Sequence, residues 1–250
     1  MPHDVVWGRN PVRALLRARG RRVDEVALLA GAAGPLAEIV ALARQAGVKV
    51  SYRTRDQLTA IAGSAHHQGV VARVAAAEYV GLGDLLAVPA ARSETALFLA
   101  VDQIQDPRNL GALLRTADAF GVHGVLLPRH RQVGLTGAAA RTAMGAAESV
   151  PVAREANLAD ALDVLKRSGV WVFGAVSEGG VAPWEADLTG PLCLVLGSEG
   201  EGLRPRVART CDVRLTVPML GRVGSLNVAA AGAVLCYEVT RQRAVRRKPP

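Results

Sequence analysis

Residues 96–128 read ALFLAVDQIQDPRNLGALLRTADAFGVHGVLLP, and their reading decides the fold. An apolar run, ALFLAVDQI, has the composition of a buried strand; NLGALLRTADAFG has helical periodicity; GVLLP is again apolar and short. The pattern then repeats to the end of the chain. GLTGAAARTAMGAAE predicts a helix, SVPVAR a strand, NLADALDVLKRSG a helix, and VWVFGAV and PLCLVLG two strands. LRPRVARTC follows as a helix, VRLTVPM as a strand and SLNVAAAGAVLCYEVTRQRA as a closing helix. Buried β-branched runs alternating with amphipathic helices predict an α/β domain with a mostly parallel sheet covered on both faces.

Upstream, the alternation has a smaller scale. VDEVALLA and VKVSYR predict strands, PLAEIVALARQAG and DQLTAIAG helices, and GVVARVA a final strand, which together make a compact α/β unit. Between the two regions AAEYVGLGDLLAVPAARSET mixes Gly, Pro, Ala and charge without a sustained period, as a linker does. In a chain of 250 residues this predicts two domains, 1–75 and 96–250, joined by a linker at 76–95.

Composition narrows the function classes. The formal net charge is +8, carried mostly by arginine, whose planar fork suits phosphate. A polyanionic partner follows, with nucleic acid ahead of a membrane surface. Arg9, Arg13, Arg17, Arg19, Arg21 and Arg22 are dense enough to form a phosphate-facing patch on the first unit, or a solvated face. The basic tail RQRAVRRK reads first as exposed terminal charge. No uncharged apolar run approaches the roughly 18 residues of a spanning helix. The opening MPHDVVWGRNPVRALL does not fit a signal peptide, so cytoplasm is the expected compartment and no membrane the expected partner. Cys193, Cys211 and Cys236 sit in apolar contexts and read as core residues, and neither they nor the histidines have metal-ligand spacing.

In open α/β sheets ligands bind beyond the carboxyl ends of strands, and three such segments are unusual. DQIQDPRNLGALLR carries Asn109 and Arg115 at the start of a helix; alone, Asn109 reads as an N-cap. LGSEGEGL breaks a core strand with Gly197, Gly200 and Gly202 around Glu199, which permits close backbone approach to a ligand. VPMLGRVGSLNVAAAGA leaves a strand and enters a helix capped by Ser225 or Asn227. Three polar loops on one sheet edge point to a shared pocket. A GxxxxGK[ST] phosphate loop, a GxSxG elbow and a strand-linked GxGxxG are absent from the sequence, which disfavours nucleotide hydrolases and dehydrogenases.

Taken in order, the three segments closely resemble the signature motifs of the SpoU/TrmH family of SPOUT methyltransferases, over most of residues 96–245. VVWGRNPVRALL and HHQGVVARV resemble the small, L30e-like substrate-binding domain of its RlmB-like members, which methylate a guanosine ribose in bacterial large-subunit ribosomal RNA. The resemblance implies a trefoil-knotted catalytic domain, S-adenosyl-L-methionine as methyl donor without a metal, and a homodimer that completes the active site. Carried over by motif position, Asn109, Arg115, Glu199, Ser225 and Asn227 form the catalytic set. Leu196, Gly197, Val217, Met219 and Leu226 meet the cofactor. Two stretches depart from the family pattern: AAAGA after SLNV, and TAMGAAESVP, which bears on local packing or RNA fit.

A ribose hydroxyl is a weak nucleophile, so the expected chemistry is alignment with the methyl donor plus removal of the hydroxyl proton. Arg115 is expected to contact the phosphate and the 2'-oxygen, with a phosphate oxygen or a water relay as plausible a proton acceptor as Arg115 itself. The other readings are a transfer-RNA ribose methyltransferase, a non-catalytic RNA-binding assembly factor, and a small-molecule nucleotide enzyme. The five retained motif residues argue against the second, and the basic balance against the third.

Overall fold

The computed structural model describes all residues except 1, 2, 19, 20, 33, 35 and 248–250. Arg19 and Lys248, counted above in basic stretches, therefore lie outside the described residues.

The chain begins with β1 (His3–Trp7), α1 (Arg9–Ala18), β2 (Val23–Leu29) and α2 (Ala37–Gln45), then β3 (Lys49–Arg53), α3 (Arg55–Ala62) and β4 (Val70–Ala75). Next come α4 (Leu82–Ala91), β5 (Leu97–Val101), α5 (Pro107–Ala119), β6 (Gly124–Pro128), α6 (Gly137–Ala143), α7 (Ala146–Ser149) and β7 (Val152–Glu155). The last elements are α8 (Leu158–Arg167), β8 (Trp171–Ala175), β9 (Leu192–Leu196), α9 (Pro205–Thr210), β10 (Val213–Leu215) and α10 (Val228–Arg247).

Two compact units form. The first comprises Met1–Glu78 with Leu135–Ser149, the second Tyr79–Gly134 with Val150–Pro250. In the first, four strands are ordered β1-β4-β2-β3. β4 runs antiparallel to both neighbours, and β2 parallel to β3. Val12, Leu15 and Leu16 of α1 and Ile39 and Ala43 of α2 recur at three- and four-residue spacing, so one stripe of each helix packs on Val26, Leu28, Val70, Ala72 and Val74. α3 covers part of the opposite face through Leu58, against Ala27 and Val71. A capping box starts it: Thr54 Oγ1 accepts from Gln57 N at 3.3 Å and Gln57 Oε1 accepts from Thr54 N at 3.0 Å.

In the second unit six parallel strands are ordered β10-β8-β9-β5-β6-β7. Every residue of β5, β6 and β9 is buried, which is why these strands read as continuous apolar runs rather than alternating ones. α8 closes one face with Leu158, Leu162 and Leu165. α5 and α10 pack together, and Gly232 lets them approach: a Cβ there would lie 2.6 Å from Leu113 Cδ2. From β5 the chain moves outward to β6 and β7, then returns on the other side to β8, with β9 between β8 and β5. The carboxyl ends of β5 and β9 thus flank the point where the strand order reverses, the place where open sheets bind ligands.

Three features differ from the sequence reading. Residues 76–95, read as a linker, contain α4, because Leu85 and Pro89 are buried and Leu85 fills the space above Gly124, where a Cβ would lie 2.5 Å from its Cγ. Residues 135–149, read as part of the second domain, belong to the first unit: Ala140 joins its core, and α6 starts where a Cβ on Gly137 would lie 2.5 Å from the Val5 carbonyl oxygen. The single helix read there is two, broken by left-handed Met144 (φ 54) and Gly145 (φ 106); a side chain at 145 would meet Ala14 Cβ at 2.2 Å. This is the TAMGAAESVP stretch that departs from the family pattern.

The third difference is electrostatic. Arg21 is not part of a surface patch. Its side chain is 6% exposed and binds Asp4 at 2.7 Å, Glu148 at 3.3 Å and the Ala75 carbonyl at 2.6 Å. Burial nevertheless pushes the Glu148 carboxyl up from its ordinary value, against the pull of Arg21. Arg13 and Arg17 share Glu38, and Arg22 pairs with Asp24.

Candidate active site

The three unusual loops do meet at the carboxyl edge of the second unit's sheet. Asp102, the first residue beyond β5, is fully buried. Its N–H donates to the Leu196 carbonyl at 2.7 Å, and its carboxylate accepts from Arg204 N at 2.9 Å and Arg204 Nε at 2.8 Å. A buried carboxylate thus ties the end of β5 to both sides of the loop after β9. Gln103 follows in the left-handed region at φ 65, a strained backbone for a residue with a side chain.

The loop itself is a tight hairpin in which Ser198 and Gly202 exchange N–H···O bonds of 3.1 and 3.0 Å. Gly197 is required by close approach, since a Cβ there would lie 2.2 Å from the Gly202 carbonyl carbon. The hairpin presents Glu199, whose Oε1 accepts from Asn109 Nδ2 at 2.9 Å and Asn227 Nδ2 at 2.6 Å. Asn227 Nδ2 also lies 3.0 Å from Asn109 Oδ1. Residues 90 and 118 positions apart are therefore joined in one polar triangle. Among the described residues the second Glu199 oxygen has no hydrogen-bond partner and remains an acceptor.

Local helix chemistry sets these side chains. Asp106, not Asn109, caps α5, accepting from Arg108 N at 2.8 Å; the Arg108 side chain and backbone hold its carboxyl below the usual range. With the cap taken, Asn109 in the first turn is free to reach Glu199. Asn227 does cap α10, through Ala229 N at 3.0 Å, and still spends its amide on the triangle.

Two hollows meet at Glu199. The larger, about 630 Å³, is lined by Leu196, Gly197, Val217, Met219, Ser225 and Leu226 among others, so all five residues expected to meet the cofactor border one cleft. The smaller, about 490 Å³, is lined by Gln103, Ile104, Asp106, Asn109 and Arg131; Ser198, Glu199, Glu201 and Val228 border both. Either volume suits a nucleoside-sized molecule. A hollow of about 830 Å³ lies elsewhere, at the amino ends of β5 and β9, where Arg243 donates to the Thr95, Ala96 and Gly190 carbonyls. Those bonds hold α10 to the sheet, and the strand-end chemistry is not there.

Arg115 does not join the triangle. It is exposed, and six residues beyond Asn109 it points roughly 120° away around the helix. Ser225 borders the larger cleft without touching the triangle. The sequence reading missed Asp102, Arg204 and Arg131. The first is an acidic residue directly after a wholly apolar strand, which is a readable signal. Arg131 lies in the loop after β6, fixed by Ile104 N donating to Gln132 Oε1 at 2.7 Å; its basic run, RHR, is the signal there. Burial raises the thiol of Cys193, pushes Cys236 up to about 12 and Cys211 to about 11, which fits packing rather than chemistry. No group of three potential metal ligands occurs among the described residues, and no helix among them is long and apolar enough to cross a membrane.

A strand-switch cleft beside a carboxylate–amide cluster, at the carboxyl edge of a parallel sheet, makes a site for a nucleoside-sized ligand, of the class to which the S-adenosylmethionine implied by the motif resemblance belongs. Comparison with known proteins bears this out. Residues 96–237 match the SpoU rRNA Methylase family and residues 5–80 the RNA 2'-O ribose methyltransferase substrate-binding family. The chain belongs to the SpoU methylase family. It is 39% identical over 241 residues to the 23S rRNA (guanosine-2'-O-)-methyltransferase RlmB of Shewanella oneidensis, covering 96% of this chain and 98% of that one. It is 40% identical over 240 residues to RlmB of Ralstonia nicotianae, covering 95% of each. An AdoMet-bound rRNA methyltransferase from Sinorhizobium meliloti matches with a TM-score of 0.80 at 27% identity, over 96% of this chain and 87% of that one.

Proposed function

We propose that the protein methylates the ribose 2'-hydroxyl of one guanosine in 23S ribosomal RNA, acting in the cytoplasm as a homodimer with a trefoil-knotted catalytic domain. The observation that carries this reading is the Asn109–Glu199–Asn227 triangle on the wall between two nucleoside-sized hollows. RlmB relatives that align over nearly the whole chain support the guanosine and the large-subunit substrate.

The bound donor supplies a sulfonium methyl. Leu196, Gly197, Val217, Met219 and Leu226, which line one cleft, would hold it, and the glycine backbone there would permit main-chain contacts. Glu199 uses its unpartnered oxygen to fix a substrate or donor hydroxyl, while Asn109 and Asn227 hold that carboxylate in place. Ser225 steadies the loop after β10. Arg115 contacts the target phosphate and 2'-oxygen and stabilises charge as the proton leaves to a phosphate oxygen or water. Since Arg115 faces away from its own triangle, the second copy supplies it. Exposed apolar side chains support such an interface: Leu220 and Val223 in the loop after β10, and Val234 and Tyr237 on α10.

The test uses methyl-labelled S-adenosylmethionine with unmodified 23S, 16S and transfer-RNA transcripts. Alkali-resistant label at one 23S guanosine is expected, with turnover about 10²- to 10³-fold lower for Arg115→Ala. Label on transfer RNA alone overturns the substrate, and no label on any RNA overturns the reaction. Mixing Arg115→Ala with Gly197→Ala protein, each impaired alone, should restore activity above that of either variant. A mixture no more active than either variant, although a native gel shows mixed dimers, would remove Arg115 from the partner's site.

A further inference from the structure

The family match assigns residues 5–80 to substrate binding without saying which surface does it. The arginines at the start of the chain are poor candidates: Arg13 and Arg17 of α1 share one carboxylate, Glu38, at 3.0 and 2.6 Å, Arg9 of α1 donates its Nε to the Gln68 carbonyl, and Arg21, beyond α1, is buried. The sheet offers another surface. α1 and α2 pack on the face carrying Val26, Leu28, Val70, Ala72 and Val74, so Glu25, Lys49, Arg53 and Arg73 lie on the opposite face. On that face α3 covers Ala27, Leu29 and Val71, and Val5 packs against the same cluster, but Arg73, Glu25 and Lys49, which continue Val5's row across the other three strands, lie outside it.

Arg73 is exposed although β4 is flanked by a strand on each side, and Lys49 is exposed on the edge strand. Among the described residues neither has an ion pair. Glu25, between them, pairs with Arg53 at 3.3 Å, so one carboxylate faces three cations. Neighbouring strands lie about 4.8 Å apart, so Arg73 and Lys49, two strands removed, are spaced by roughly 10 Å, within reach of phosphates one or two nucleotides apart. The edge of β1 beyond this row is covered by α6, whose Arg141 guanidinium stacks 4.1 Å from the centroid of the Trp7 ring.

We propose that the open half of this sheet face, through Lys49, Arg53 and Arg73, is the surface on which the first unit holds the phosphate backbone of its RNA. The proposal rests on the RNA substrate argued above. Arginine and lysine on phosphate position the RNA without reading its sequence, so this surface contributes affinity and salt dependence and leaves the choice of nucleotide to the catalytic unit.

The experiment compares Lys49→Gln/Arg73→Gln with Arg13→Gln/Arg17→Gln in the full-length protein, using an unmodified 23S transcript over a range of salt. The sheet-face pair should weaken RNA binding about tenfold and flatten the logarithmic salt slope by about 1 to 2. Turnover at saturating RNA and affinity for S-adenosylmethionine should stay as in the unmodified protein. The α1 pair, equal in charge removed, should lose less than threefold. Wild-type RNA affinity in the sheet-face pair, or a larger loss in the α1 pair, overturns the proposal. If the unmodified protein labels no RNA at all, it is the enzymatic reading that has failed. Thermal unfolding of the variants guards against misfolding, and Lys49→Arg/Arg73→Lys, which keeps the charge, should retain binding.

Discussion

The two units treat charge in opposite ways. In the first, a dense run of arginines at the start of the chain is largely spent internally: Arg21 on Asp4 and Glu148, Arg13 and Arg17 on Glu38, Arg22 on Asp24. In the second, isolated polar residues from three distant loops converge at the switch point of a parallel sheet, and one carboxylate serves two amides. Density along the chain therefore says little about where charge acts; position relative to a sheet says much more. A cluster on one helix finds counter-ions nearby, whereas residues at the carboxyl ends of adjacent strands are forced into one space.

The largest expected effect breaks the first half of this contrast. Arg21→Ala leaves the buried Glu148 without its cation, and should cost about 3 to 5 kcal/mol in urea unfolding, the scale for breaking a buried pair. If it costs less than about 1 kcal/mol, Arg21 is a surface residue in solution and the original patch returns. A middle-sized effect tests the second half. Gly197→Ala forces the Ser198–Gly202 hairpin open and should cost about 1 to 3 kcal/mol, as overpacking does. Calorimetric titration with S-adenosylmethionine should then show binding weakened more than tenfold. Unchanged binding would separate the hairpin from the cofactor cleft. The smallest effect is Arg17→Ala, an exposed pair, expected to change stability by about 0 to 1 kcal/mol and to leave turnover alone.

Much was legible beforehand, for reasons specific to the elements. β5, β6 and β9 announced themselves because strands covered on both faces must be apolar at every position. The three loops stood out because glycine, proline and lone polar residues interrupt those runs. α4 was missed because LGDLLAVPAA has little periodicity, and its burial rests on Pro89 and on Leu85, which meets Gly124, far away in the chain. The break between α6 and α7 was missed because it turns on the left-handed backbone of Met144 and Gly145, and the need for a bare residue at 145 comes from Ala14, far away in the chain.

The sequence by itself determined the parallel α/β architecture, the small unit before it, the three loops and, by resemblance, the reaction. Each is written in local pattern or in motifs of contiguous residues. Only the tertiary structure decided that Asp106 caps α5 so that Asn109 can reach Glu199, that Arg115 faces the other way, and that Arg21 is buried. It also brought residues 135–149 to the first unit and left Arg73 and Lys49 uncovered. The physical reason is common to all of these. A side chain's role depends on which partners the fold brings within about 3 Å, and hydrogen bonds and ion pairs have no reach along the sequence.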